Sequence, residues 1–204
     1  MNESGVCMRY VNQKQYPDIP YITRTGLEGA EREQGLTTTV ATSGCGLCSA
    51  IMVLDRLLPT YDFKLEDAVA LSYELNANHN NGTDPARFFP VFAKKFGLRY
   101  ENTANQEDLR NCLRTGGVGI VHVRANQTAY KAMFTKSGHY MTVISEEPDG
   151  RFAILDPSYV PGKYDQGEDF DKIEIVRDVI VLCPGDVLEK EVGHHRPCYH
   201  MFWR

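Results

Sequence analysis

T-T-T-V-A-T-S-G-C-G-L-C-S-A-I-M-V-L-D-R-L-L, residues 37–58, changes character halfway along. Thr37 to Thr42 is a β-branched run that reads as a short strand. From Cys45 onward the spacing is helical: Leu47, Ala50, Ile51, Leu54, Leu57 and Leu58 share one face. Pro59 ends the helix. Cys45 therefore stands between two glycines at a helix mouth. At roughly 100° per residue it lies about opposite the centre of the apolar stripe, which weakens a core-packing explanation. Either this thiol does chemistry, or Cys45 and Cys48 form a redox or metal pair.

The position favours a thiolate. A helix start leaves backbone N–H groups unpaired, and the macrodipole favours negative charge there. Both lower a thiol's pKa from its free value of about 8.5. Gly44 and Gly46 would let a substrate backbone approach closely. The Cys45 N–H would point at an oxyanion beside the sulfur. The plainer alternative is a buried structural thiol, since free cysteine is among the most buried residue types.

A nucleophilic cysteine needs a base, and the base an orienting group. His139 opens the strand S-G-H-Y-M-T-V-I, and a Pro148-Asp149-Gly150 turn joins that strand to Arg151–Asp156. If Glu146 faces Arg151 across the turn, Met141 faces Asp156. His139 is then diagonal to Asp156 on the same face, at roughly 7–8 Å between backbones. An odd loop would put the two on opposite faces. Asp156 can thus fix the tautomer of His139 and stabilise its charged form. His122, mid-strand in G-I-V-H-V-R-A, has no such carboxylate nearby and reads as structural.

Outward from these motifs, residues 1–36 are irregular. Helices are expected over Leu65–Asn76, from Asp84-Pro85 to Phe96 and over Asn105–Arg114. Pro90 should kink the second of these or split it in two. Strands follow at Val118–Arg124, His139–Glu146, Arg151–Asp156 and Ile173–Leu182. This gives an α+β fold: a mainly helical half, 37–117, packed on a mainly antiparallel β half with a tail, 118–204, the site lying in the cleft between them. One domain, 1–204, accounts for the chain.

The 204 residues suffice for a hydrophobic core, so six cysteines need not be staples. The net charge of −5 argues against a nucleic-acid partner. No stretch approaches the roughly 20 apolar residues of a membrane span. The first residues carry no signal-peptide core, which points to a cytoplasmic protein with reduced thiols. H-H-R-P-C-Y-H, 194–200, matches no common zinc spacing, so no metal is expected there. No cofactor is implied elsewhere. Met201-Phe202-Trp203 is apolar enough to dock the tail on the body.

Four pieces carry a resemblance: Ile19-Pro20-Tyr21; A-T-S-G-C-G-L-C-S-A-I-M-V-L, 41–54; G-H-Y-M-T-V-I, 138–144; and Leu155-Asp156-Pro157. Together they resemble the C39-like, papain-fold cysteine peptidases, related to the peptidase domains of bacteriocin-exporting ABC transporters. The resemblance covers most of residues 17 to about 165. It implies a papain-like fold and a triad of Cys45, His139 and Asp156. It further implies acyl transfer on a peptide or protein substrate, most simply hydrolysis of a peptide or isopeptide bond, in a bacterial protein. The chain departs from the family in two places. Where many relatives carry an oxyanion-donating Gln, counting leads to Arg24, so Arg24 or Gln34 would have to serve. Leu47-Cys48 replaces the usual Pro-Thr.

Two other readings fit the same residues. C-G-L-C after a strand is the shape of a thiol-disulfide oxidoreductase site, with Cys48 as the resolving partner. A papain-like domain with an incomplete oxyanion site could also bind peptide without cutting it.

Overall fold

The structure is a computed structural model and describes residues 9–23, 38–79, 82–124, 130–193 and 196–204. Arg24, Gln34, Thr37, His194 and His195 lie outside the described residues. The described helices are α1 (Val40–Ser43), α2 (Cys45–Leu57), α3 (Leu65–Glu74), α4 (Pro85–Lys95), α5 (Gln106–Arg114) and α6 (Gly185–Val192). The strands are β1 (Arg99–Thr103), β2 (Val118–Val123), β3 (His139–Glu146), β4 (Phe152–Leu155), β5 (Glu174–Val176), β6 (Ile180–Cys183) and β7 (Tyr199–Trp203). They form one antiparallel sheet in the order β1-β7-β2-β3-β4-β6-β5. The architecture is α+β, as the sequence pattern implies.

The sheet separates two cores. Val118, Ile120, Tyr140, Leu155 and Phe202 face the core built by α2, α3 and α4. Val121, Val123, Met141, Val143 and Met201 face a second core closed by Leu109 of α5 and by Val187, Leu188 and Val192 of α6. Alternate residues of one strand thus serve different cores, which is the period-2 geometry of a strand covered on both faces.

Helix α2 lies at the centre of the first core. Every residue from Cys45 to Leu54 is buried, and so is Leu57. It packs on β3 and β2 and against α3. The large aliphatic side chains Leu47, Ile51 and Leu54 stabilise the fold by roughly 1.5–3 kcal/mol each. The sequence stripe therefore marks only one of two buried faces. Cys45, on the face opposite the stripe, is 9% exposed.

Several expectations are corrected. From Thr38 to Thr42 the expected strand does not form. Thr39 makes a single bridge with Pro20, and α1 begins at Val40. Two backbone bonds flank the bridge, Tyr21 N–H to the Thr38 carbonyl and Val40 N–H to the Ile19 carbonyl, each at 2.9 Å, and threonine hydroxyls add to them. Thr42 Oγ1 accepts from the Thr39 N–H at 3.0 Å, and Thr38 Oγ1 donates to the Tyr21 carbonyl at 2.6 Å. Pro90, exposed on α4, leaves that helix one unbroken element. Ile173–Leu182 is a hairpin, β5 and β6, turned at Arg177 and Asp178 with φ of 50° and 65°. Helices and strands also interleave, with β1 between α4 and α5 and α6 between β6 and β7.

The tail does more than dock. As β7 it enters the sheet between β1 and β2. Phe202 sits 5.8 Å, ring to ring, from Phe89 of α4, and His200 Nδ1 pairs with the Tyr100 hydroxyl at 2.9 Å.

Candidate active site

Each site residue is positioned by the end of an element. Cys45 opens α2, directly after the α1–α2 break at Gly44. Gly44 has an ordinary φ of −89°, so no left-handed backbone demands glycine there. Space does: a Cβ would fall 2.5 Å from Val40 Cγ1 and 2.7 Å from the Val40 carbonyl. A Cβ on Gly46 would meet Thr83 Cβ at 2.9 Å and the Tyr140 ring at 3.3 Å. The close neighbours of both glycines are thus the chain's own side chains and backbone. Gly46→Ala is expected to cost about 1–3 kcal/mol through overpacking, read as a lower urea midpoint.

His139 is the first residue of β3, and Asp156 directly follows β4. Near the turn the hairpin pairs Glu146 with Phe152, not with Arg151, so the loop is odd. A bulge between Val143 and Ser145 absorbs the extra residue and restores Thr142 opposite Leu155. Continuing that register sets Met141 opposite Asp156 and His139 diagonal to it, the arrangement an even loop would have given. His139 Nε2 donates to Asp156 Oδ1 at 2.6 Å, with Asp156 fully buried and His139 6% exposed.

The imidazole and the Cys45 thiol each shift the other's affinity for its proton. Burial alone would push that thiol up. The hydrogen bond and charge of His139, then the N–H groups of Tyr140 and Gly46, outweigh burial and hold it below the ordinary cysteine value. Burial would likewise lower His139, but the charge and hydrogen bond of Asp156, followed by Cys45, raise it above the ordinary histidine value. Burial would raise Asp156, yet His139 and then Lys163 hold its carboxyl far below the usual carboxylate range. A thiol made more acidic beside an imidazole made more basic is the electrostatic signature of a thiolate–imidazolium pair.

The carboxylate has partners that sequence reasoning missed. Oδ1 also accepts from the Ser158 N–H at 2.8 Å and the Ser158 hydroxyl at 3.1 Å. Oδ2 accepts from Lys163 Nζ at 2.5 Å and the Tyr164 hydroxyl at 2.8 Å. The Tyr10 hydroxyl donates to the Asp156 main-chain carbonyl at 2.6 Å. The available signal was proximity alone: the loop after Asp156 had to pass near its carboxylate, but nothing in D-P-S-Y-V-P-G-K-Y shows which side chains turn inward.

The other candidates stand apart. Cys48 is fully buried, and burial followed by the nearby Cys45 pushes its thiol up, which suits neither a resolving thiolate nor fast exchange. The sheet is antiparallel throughout its named strands, unlike the βαβ setting of a thioredoxin-type motif. His122 stacks on Tyr140 with ring centroids 4.2 Å apart, a packing role. Among the described residues, no group of three His, Cys, Asp or Glu is placed to hold a metal. Likewise, no described helix is long and apolar enough to cross a membrane.

No family model matches the chain, and no curated protein sequence matches it. Comparison with solved structures does find likeness of fold. A "putative C39-like peptidase" from Bacillus anthracis superposes with a TM-score of 0.53 over 92% of this chain and 96% of its own, at 11% sequence identity. The chain shares its fold with that C39-like protein.

Proposed function

We propose that this chain is a cysteine peptidase in which Cys45 attacks, His139 shuttles the proton and Asp156 orients His139. The supporting observation is the convergence of the three groups, with Cys45 more acidic and His139 more basic than usual. The thiolate adds to a scissile carbonyl, and the oxyanion forms beside the start of α2, where N–H groups already face the sulfur. His139 then gives its proton to the leaving amine, releasing one product and leaving a thioester. Water, deprotonated by His139, cleaves the thioester and restores the thiol. Arg24 and Gln34 remain proposed oxyanion donors from the segment before α1.

The test is incubation of wild type with a pool of capped peptides, scored by mass spectrometry for new amino termini. Cleavage by wild type and none by Cys45→Ala supports the reading. Alkylation of Cys45 without cleavage of any peptide would instead favour a peptide-binding domain.

Asp156→Asn has two expected effects. It removes the group that fixes the imidazole, which in triads of this logic lowers kcat about 10⁴-fold. It also leaves the Lys163 ammonium, whose side chain is 15% exposed, without its counter-charge. Breaking a buried pair in this way costs about 3–5 kcal/mol, read as a lower urea midpoint.

A further inference from the structure

Lys163 is not needed by the three-residue scheme, yet it is built into the site. Its ammonium lies 2.5 Å from Asp156 Oδ2 and 2.6 Å from Ser158 Oγ. That serine oxygen is 3.0 Å from His139 Nε2, the same nitrogen that Asp156 holds. The carboxylate is thus shared between two cations, an imidazolium on Oδ1 and an ammonium on Oδ2, with Ser158 bridging them. The ammonium also lies over the Tyr164 ring, 5.6 Å from the ring centroid.

We propose that Lys163 is a positioning residue for the His139–Asp156 pair, drawing off part of the carboxylate's charge so that the imidazolium is not held too tightly. The inference rests on the peptidase reading and deepens it. An acid that must release its proton to a leaving amine works best when its affinity for that proton lies near the working pH. A buried aspartate with the imidazolium as its sole counter-charge would hold the proton too well. Lys163 offsets that hold, while Tyr164, Ser158 and the Ser158 N–H complete the carboxylate's hydrogen bonds. The titratable groups about the pair are Asp156 and Cys45, which act on His139 directly, Lys163, Tyr164 and Tyr10, which contact or act on Asp156, and His122 beside Gly138.

The experiment is an NMR titration of the His139 ring in a Cys45→Ser background, which removes the coupled thiolate. Into it go Lys163→Gln, Lys163→Met and Lys163→Arg. Removing a unit charge a few ångströms away, at an effective dielectric near 20, should raise the His139 midpoint by about two pH units in both neutral variants. Lys163→Arg keeps the charge and should leave the midpoint within about 0.2 unit of the parent. Glutamine keeps a donor and methionine keeps the stem, so either one that folds decides the matter. An unmoved midpoint in a neutral variant, even with a lower melting temperature, makes Lys163 a structural strut and overturns the proposal. A shifted midpoint in Lys163→Arg overturns it too, and stands as the deciding result if neither neutral variant folds. Absence of peptide cleavage by wild type would sink the peptidase reading while leaving the titration result intact.

Discussion

Cys45→Ala is expected to abolish peptide cleavage, with a loss of about a million-fold in kcat, the size seen when the nucleophile of a catalytic triad is removed. The reason is local. The sulfur sits where His139, the N–H groups of Tyr140 and Gly46 and the start of α2 all favour a negative charge. No other described thiol has such surroundings. Cys48, Cys112, Cys183 and Cys198 are each at most 1% exposed, against 9% for Cys45, and burial pushes all four upward. They cannot substitute. Cys45→Ser should be nearly as inactive, because a hydroxyl in the same place stays protonated at neutral pH. Removing one sulfur atom should leave the fold in place, so the far-ultraviolet circular dichroism should match wild type. Residual cleavage above about one part in a thousand in a purified Cys45→Ala sample would point to another nucleophile.

His139→Ala is expected to slow iodoacetamide alkylation of Cys45 on the order of 100-fold at pH 7. The sign follows from the competing contributions. Burial raises the Cys45 thiol, and His139 supplies the largest opposing ones. Without the imidazole only the two N–H groups and the helix start remain, and the thiol moves up past the ordinary value of about 8.5. At pH 7 such a thiol is ionised to a few per cent or less, and the thiolate is the reactive form. The rate should recover above about pH 9, where hydroxide does what the imidazole did. A rate at pH 7 within about threefold of wild type would mean that His139 does not govern the sulfur's ionisation.

The three residues of the proposed triad are each marked by their neighbours in sequence: glycines about Cys45, a strand opening at His139, a strand closing at Asp156. The nearness of His139 to Asp156 was readable only through the hairpin register, and there the inference reached the right pairing by an inexact route. An even loop was assumed, whereas the loop is odd and a bulge at Ile144 takes up the difference. A bulge leaves no periodic trace, since one extra residue in a buried apolar run looks like the run itself. The β5–β6 turn was hidden for a similar reason: Arg177 and Asp178 take the left-handed positions that glycine or asparagine would have announced. Strand β7 reads as an apolar tail until β1 supplies its partner, Arg99 with Trp203 through Thr103 with Tyr199. The apolar stripe read on α2 is buried, but Gly46, Cys48, Ser49, Met52 and Val53 outside it are buried as well, so the helix is covered on more than the stripe face. Lys163 was hidden because only the fold of the loop turns it onto Asp156.

The most direct test is alkylation of native wild type by iodoacetamide from about pH 5 to 9, with each cysteine mapped by mass spectrometry. Cys45 should react far ahead of Cys48, Cys112, Cys183 and Cys198, its rate already near plateau at neutral pH and its midpoint below the ordinary thiol value. A Cys45 that reacts no faster than Cys112, or that titrates at or above about 8.5, would contradict the thiolate–imidazolium pair.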